Sequence, residues 1–466
     1  MHFSISSLHQ DAAADVAANP RPIGATSAAA TGKGGRTRGA RARSARTPNP
    51  SENWAAMKTD VLVVGAGPAG SAAATWAARE GLEVTLADAE TFPRDKPCGD
   101  GLTPRAIAEL DALGASEWIT TRARNAGLRA AGFGQTLYLP WPGGSLPNYG
   151  SAAPRLQLDD AIRKVALEAG VTPVEGMRAT DAVRDSRGRV TGVVFQDGEK
   201  NTTTIECNRL IVADGVRSQL GRALGRQWHR NTAYGVAARA YIESGRSDDP
   251  WISSHLELRG TQGELLSGYG WIFPLGDGEV NIGVGTLATD KRPADVNLRN
   301  LIKFYTEQQR EPWELEGELR ATWSALLPMG GAVSGVAGPN WMLIGDAAGC
   351  VNPLNGEGID YGLETGHLAA TLLSSNTNDY ATIWPSILRE KYGLAFSIAR
   401  RLAGLITVPG FLTTFGPVGM RSHFLMTIAL RVMGNLITEE DSDAIARIWR
   451  TAGRASIKFD DRPPFS

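Results

Sequence analysis

The sequence predicts an α/β fold, and three stretches predict it: a strand–glycine–helix–strand run from Asp60 to Asp88, a buried strand leading into a basic helix start near Asp214, and an apolar strand ending at Gly345-Asp346 ahead of another helix. Each is an apolar run of strand length, then turn residues, then helical periodicity. That order is expected when parallel strands alternate with helices.

In the first stretch, DVLVVGAGPAGSAAATWAAREGLEVTLAD, Asp60 to Val64 reads as a strand, and Gly65, Gly67 and Gly70 follow as G-x-G-x-x-G. An alanine-rich helix then runs to Gly81, and a second strand ends at Asp88. Gly65 permits the tight turn, Gly67 lets backbone approach a pyrophosphate, and Gly70 lets helix and strand pack closely, while the helix start offers N–H groups to phosphate. Pro68 and Ala69 lie inside this loop and join it as candidate cofactor contacts. Asp88 stands 18 residues after Gly70, placed to accept hydrogen bonds from a ribose. A second string, Gly283-Val-Gly285-Thr-Leu-Ala288, has the same spacing but lies in the alternating stretch EVNIGVGTL after a Gly276-Asp277-Gly278 turn, so it reads as a strand.

The second stretch, CNRLIVADGVRSQLGRALG, reads as a strand ending in Asp214-Gly215; Asp214 is either a cofactor contact or a turn residue. Ahead of it, LQLDDAIRKVALEAGV is an amphipathic helix opening after Arg155, which either reaches a pyrophosphate or forms a surface ion pair. In the third, WMLI is a strand closed by Gly345-Asp346, and Gly356-Glu357-Gly358 opens the helix that begins at Ile359. An acid at a strand's carboxyl end binds sugar-like hydroxyls, and bare N–H groups at a helix start face developing negative charge. Standing alone, Asp346 would read as a helix N-cap and the glycines as a plain loop.

With 466 residues, 42% of them hydrophobic, the chain has enough material for two or three domains. Lys plus Arg total 48 against 49 Asp plus Glu, which gives no sign of a nucleic-acid partner. Residues 1–56 hold seven basic and three acidic side chains among Ala, Gly, Ser, Thr and Pro. Such composition predicts a disordered basic extension; contact of this tail with anionic lipid is the functional alternative. Three scattered cysteines, Cys98, Cys207 and Cys350, support neither a disulfide framework nor a metal cluster, and fit a reducing, cytoplasmic setting.

In order and spacing the three motifs resemble the glutathione-reductase-like flavoproteins of the aromatic-hydroxylase type, and within them the geranylgeranyl reductase family. The narrower resemblance rests on Lys96-Pro97-Cys98-Gly99-Asp100-Gly101, on Tyr269-Gly270-Trp271-Ile272-Phe273-Pro274, and on Asn352-Pro353-Leu354-Asn355-Gly356-Glu357-Gly358. The stretches GYGWIFPLGDGEVNIGVG, LLPMGGAVSGVAG and DRPPFS are most similar to the actinobacterial branch that saturates one double bond in the prenyl tail of menaquinone. The resemblance implies FAD, held by Gly65, Gly67, Pro68, Ala69, Gly70, Asp88, Arg155, Asp214, Gly345, Asp346, Gly356, Gly358 and Ile359. It implies a discontinuous FAD domain (57–124, 153–231, 328–385), an inserted antiparallel substrate sheet (125–152, 232–327) and a helical C-terminal region (386–466). Cys98, Tyr269 and Trp271 fall where the family keeps residues near the flavin and the lipid cavity; an inert thiol and ordinary core packing are the alternatives. Asp100 departs from the more glycine-like wording of archaeal members.

An isolated alkene is poorly electrophilic, so its reduction needs a proton as well as a hydride, with aromatic faces to favour a cation-like centre. Tyr269, Cys98 and Asp100 are the candidate donors. The electrons come from NAD(P)H or a small redox protein, since a second nucleotide motif is not evident. Geranylgeranyl diphosphate or another prenyl lipid is the competing substrate, a flavin monooxygenase the competing reaction, and a non-catalytic lipid carrier the competing class. Residues 402–420 contain no charge, yet four glycines and two prolines argue against a straight membrane-spanning helix. Phe424, Leu425, Ile428, Val432 and Leu436 follow on one predicted helical face, for core packing or peripheral membrane contact.

Overall fold

A computed structural model describes residues 57–375, 377 and 379–466; the predicted basic extension, residues 1–56, lies outside them. Five short strands form the parallel part of the main sheet, in the order Trp341–Leu343, Thr202–Val212, Lys58–Val64, Val84–Ala87, Thr172–Val174. Arg178–Arg184 and Val190–Gln196 extend it as an antiparallel meander from Thr202–Val212, and Ala337–Gly338 borders it. Val61, Leu62 and Val63 are fully buried, as are Leu210, Ile211 and Val212, which is why these strands read as continuous apolar runs rather than alternating ones.

The parallel register fixes where the loops emerge. Val64 pairs with Val212 on one side and Ala87 on the other, and Val212 pairs with Leu343. Gly65, Asp88, Asp214 and Gly345-Asp346 therefore leave the sheet along one carboxyl edge, where ligands bind in sheets of this kind. Two helices start at this edge, Pro68–Arg79 and Ile359–Ser374. Their small residues bring them close: a Cβ on Gly366 would lie 2.6 Å from the Ala69 carbonyl oxygen.

The second sheet has seven strands, in the order Leu315–Leu327, Tyr234–Ser244, Glu279–Ala288, Gly268–Pro274, Trp251–His255, Gly127–Gly132, Gln135–Pro140. All its pairs are antiparallel except Trp251–His255 with Gly127–Gly132. The string at Gly283 and Gly285 lies inside Glu279–Ala288, as its alternation predicts. Gly150–Ala152, grouped by sequence with this sheet, instead pairs with Gly101–Leu102 and Arg124–Asn125 in a separate small sheet.

Two expectations for the C-terminal region differ from the structure. The boundary at 385/386 falls inside a single helix, Tyr380–Ile406. Pro385 removes one ladder N–H, but Trp384, Leu388, Tyr392 and Phe396 are buried against the nucleotide-sheet core, and Phe465 joins them. The helix expected to carry Phe424 through Leu436 ends earlier, at His423–Met433, because Gly434 caps it and Asn435 turns to φ 54. Leu436 is thus off the helix and buried, whereas Phe424 is 68% exposed.

Trp384 is fully buried and donates from Nε1 to the Leu343 carbonyl oxygen at 2.8 Å, tying the long helix to the strand that precedes Gly345. Trp384→Ala is expected to cost about 3–5 kcal/mol, read as a lower urea midpoint with an unchanged slope.

Candidate active site

Gly65 has φ 103, and a Cβ there would lie 2.3 Å from the Ala213 carbonyl oxygen. Gly70 is packed as tightly, with a Cβ position 1.7 Å from the Gly65 oxygen. The loop thus lies flat between the helix start and the strand bearing Asp214. Gly67 caps the helix Pro68–Arg79 without a side-chain bond, leaving that terminus to an outside partner.

Asp88 holds this loop from the side: Oδ2 accepts the Ala66 N–H at 2.7 Å and Oδ1 the Glu90 N–H at 2.9 Å. Arg155 is not on the surface. It is 3% exposed, and its Nε and Nη2 reach Asp159 Oδ1 and Oδ2 at 2.5 and 2.8 Å. Arg94 donates to the same Asp159 at 2.5 Å and stands 3.6 Å from Asp88. A Cβ on Gly67 would meet Arg94 Nη2 at 3.6 Å and Arg155 Nη2 at 3.8 Å, so one carboxylate gathers two guanidinium groups beside the glycine loop. Two guanidinium groups thus stand against two carboxylates, Asp159 and Asp88, and the cluster sets guanidinium N–H donors beside the loop for a further anionic group.

Asp214 turns back to the helix Gln219–Ala223, accepting the Leu220 N–H on Oδ2 at 2.9 Å, while its Oδ1 is buried without a partner. Burial holds its carboxyl above the usual range. Asp346 does not cap a helix. It sits inside the 3-10 turn Gly345–Ala348 and pairs through Oδ2 with Lys96 Nζ at 2.9 Å. Gly358 lies beside it, with a Cβ position 3.1 Å from Asp346 Oδ1, whereas Gly356, at φ 78, faces Leu327 and Met329. Gly358 leaves the start of Ile359–Ser374 without a side-chain cap. The Ile359 side chain packs with Leu102, Leu158 and Leu363, so only its backbone is free to face a cofactor.

The loop of Lys96 to Gly101 lies between this edge and the second sheet. On Gly268–Pro274, alternate side chains Tyr269, Trp271 and Phe273 share one face. A Cβ on Gly99 would sit 3.3 Å from both Trp271 and Phe273, and one on Gly101 2.9 Å from Phe273, so the loop's glycines let it rest on the rings. The neighbouring strand clears room in the same way: a Cβ on Gly283 would lie 2.1 Å from Trp271. This is the physical reason for the second glycine string.

Cys98 is half-buried, and burial pushes its thiol above the ordinary value against the opposing pull of Arg155 and Lys96, so it is a thiol at neutral pH. Tyr269 donates its hydroxyl to the Asn355 carbonyl oxygen at 2.5 Å, and burial raises its pKa. Trp271 donates Nε1 to Asn281 Oδ1 at 2.9 Å. Sequence reasoning missed Arg94, Asp159, Arg239, Tyr241 and Asn281. Only Asn281 left a signal, a lone amide in the apolar run EVNIGVG.

These cradles, which a Cβ would fill, and the unpartnered Asp214 oxygen at the same edge fit the size and polarity of FAD. A family model described as FAD binding domain matches residues 58–275. The menaquinone reductase of Mycolicibacterium smegmatis is 63% identical over 410 residues, covering 88% of this chain and 99% of that protein. The menaquinone reductase of Mycobacterium tuberculosis is 61% identical over 87% of this chain and 98% of its own. Digeranylgeranylglycerophospholipid reductase 1 of Methanopyrus kandleri is 28% identical over 75% of the chain and 92% of its own. Among solved structures, a geranylgeranyl bacteriochlorophyll reductase-like protein of Thermoplasma acidophilum shares the fold, with a TM-score of 0.68, 21% identity and 85% and 99% of the two chains covered.

Gly65→Ala adds a clash and a strained φ at once. The variant is expected to keep its secondary structure by circular dichroism but to lose about tenfold or more in FAD affinity, measured by titrating the deflavinated protein.

Proposed function

The chain belongs to the family of the mycobacterial menaquinone reductases, and we propose that it is an FAD-dependent reductase that saturates a double bond in the prenyl tail of menaquinone. The observation that carries this reading is 63% identity across 99% of a menaquinone reductase. The archaeal relative, a reductase of a digeranylgeranyl lipid, supports the tail rather than the ring as the reacting part, because a polyprenyl chain is what the two substrates share.

Bound and reduced, FAD supplies a hydride. The chain's residues do the rest. Asp88 would take the ribose hydroxyls, and Arg94 and Arg155, held by Asp159, would hold the pyrophosphate beside the Gly67 helix start. Lys96 and Asp346 would hold the ribityl hydroxyls, and the uncapped helix start at Gly358 would stabilise negative charge developing on the ring. Tyr269, Trp271 and Phe273 form the aromatic wall toward the alkene, excluding water and favouring positive charge on carbon.

The long lipid reaches this wall by peripheral contact with the membrane. Among the described residues no single helix is long and apolar enough to cross a bilayer, and the uncharged segment breaks between Tyr380–Ile406 and Phe411–Met420 with a bend of 112°. Around that bend Leu405, Val408, Phe415, Val418, Phe424 and Leu425 are exposed. Met420 and Leu430, from the same helices, pack with Leu139 and Ile252 of the second sheet and with Trp141 just past its edge strand, so the apolar surface is continuous with the substrate side. Residues 57–466 carry 41 basic and 46 acidic side chains, so attachment is apolar and little affected by salt.

Incubation of the reduced holoenzyme with menaquinone is expected to give a quinone heavier by two hydrogens, located in the tail by fragmentation mass spectrometry. A product heavier by one oxygen would make the protein a monooxygenase, and unchanged lipid a carrier. Replacing Phe415 and Phe424 together by Ser is expected to lower partition into vesicles about tenfold, with the melting temperature unchanged, because both rings are exposed.

A further inference from the structure

Asp100 lies between the two sheets, fully buried, with φ 62. Its Oδ2 accepts hydrogen bonds from the Tyr241 hydroxyl at 2.5 Å and from Asn281 Nδ2 at 2.8 Å. Those two residues are cross-strand partners, so the register of the second sheet sets their spacing. Asn281 also donates to the Cys98 carbonyl oxygen at 3.0 Å, and the Asp100 N–H points to Cys98 Sγ at 3.4 Å. Asp100 Oδ1, in contrast, is buried with no hydrogen-bond partner.

One satisfied and one orphaned oxygen is an expensive arrangement for a structural carboxylate. Ionised, Oδ1 holds charge without a donor. Protonated, it holds a hydrogen for which the chain provides no acceptor. The flanking Gly99 and Gly101 lie on the Trp271 and Phe273 rings, so this oxygen belongs to the aromatic wall rather than to the pyrophosphate edge.

We propose that Asp100 is the acid that delivers the proton to the prenyl double bond from Oδ1, with Tyr241 and Asn281 fixing its other oxygen. This rests on the reading of the chain as a prenyl-tail reductase. The alkene π pair forms a C–H bond with the proton as the O–H bond breaks, and the O–H pair stays on the carboxylate. The other alkene carbon takes the hydride and its two electrons from the reduced cofactor, so two hydrogens are gained and no charge is left on the lipid. Tyr241 and Asn281 stabilise the carboxylate until solvent returns its proton.

The other two candidates are less suited. The Tyr269 proton is committed to the Asn355 carbonyl, and Cys98 is a weakened acid in its buried setting. The groups around Asp100 tune it toward neutrality. Burial raises it, Tyr241 and Arg239 from one strand, Asn281 from the next and Arg155 from the helix behind act in the opposite direction, and the balance leaves it at about 6. The Cys98 thiol stands beside it on its own loop. The proton-bearing form is therefore present below this pKa and lost as pH rises through it, and kcat/KM falls in that direction.

The test uses FAD-loaded protein. Asp100→Asn is expected to keep the flavin absorbance and melting temperature and to lose about a hundredfold or more in kcat. Tyr241→Phe removes a donor to the ionised form, so the high-pH fall of kcat/KM is expected to move to higher pH. Infrared titration without substrate is expected to show a carboxylic-acid carbonyl signal in the wild type that fades as pH rises through about 6 and is missing in Asp100→Asn. If Asp100→Asn does not fold, the Tyr241→Phe pH profile decides. Wild type that saturates the tail while Asp100→Asn keeps wild-type kcat, or while Tyr241→Phe leaves the pH profile unmoved, overturns the role of Asp100 alone. Wild type that saturates no double bond overturns the functional reading, and the proton donor with it.

Discussion

The register of the parallel strands is the constraint on which the rest of the site depends. Because Val64, Ala87, Val212 and Leu343 stop level with one another, four loops with unrelated sequences converge on one edge. A shift of one residue in any pair would invert the side chains entering the core and move its loop by about 3.3 Å. The buried apolar runs prevent such a shift, so the hydrophobic core positions the polar edge. Glycine then matters where backbone must meet backbone, as at Gly65 against Ala213.

Charge at this edge is held in ion pairs, with Arg94, Arg155 and Lys96 against Asp88, Asp159 and Asp346. Asp159 binds both Arg94 and Arg155, and Lys96 reaches Asp346 from far away in the chain. Isolated buried ions of this kind would be costly, and the pairing supplies the hydrogen bonds that keep them charged in the absence of a phosphate. The two guanidinium groups sit beside a helix start without a side-chain cap, so their N–H donors and the helix dipole point to the same place.

The second sheet serves a different chemistry. Its face toward the Lys96–Gly101 loop is aromatic, with Gly99, Gly101 and Gly283 making room for the rings. Only a few polar groups enter it, and most of those around the loop are mutually engaged, Trp271 on Asn281, Asn281 on Asp100 and Cys98, Tyr241 on Asp100, while Asp100 Oδ1 and Arg239 Nε are buried without a partner. A dry aromatic wall with one tethered carboxyl is a setting in which the proton affinity of that carboxyl is governed by its immediate neighbours rather than by bulk water.

The glycine loop, the acids ending three strands, the glycine-rich stretch at residues 345–358 and the aromatic alternation of residues 269–273 were legible in the chain, because each depends on local conformation or on the period of one element. The sequence did not show that Arg155 is buried against Asp159, that Arg94 shares that carboxylate, or that one helix continues through Pro385 to pack on the nucleotide core. It named Phe424 and Leu436 as members of one face, whereas the turn at Asn435 separates an exposed ring from a buried one. Tyr241 and Asn281 are 40 positions apart, and both are remote from Asp100 in the chain. By itself the sequence determined which stretches carry the groups able to bind a flavin. Tertiary structure alone decided which groups meet, since strand register and the docking of one sheet on a distant loop are set by packing across the fold and leave no periodic trace along the chain.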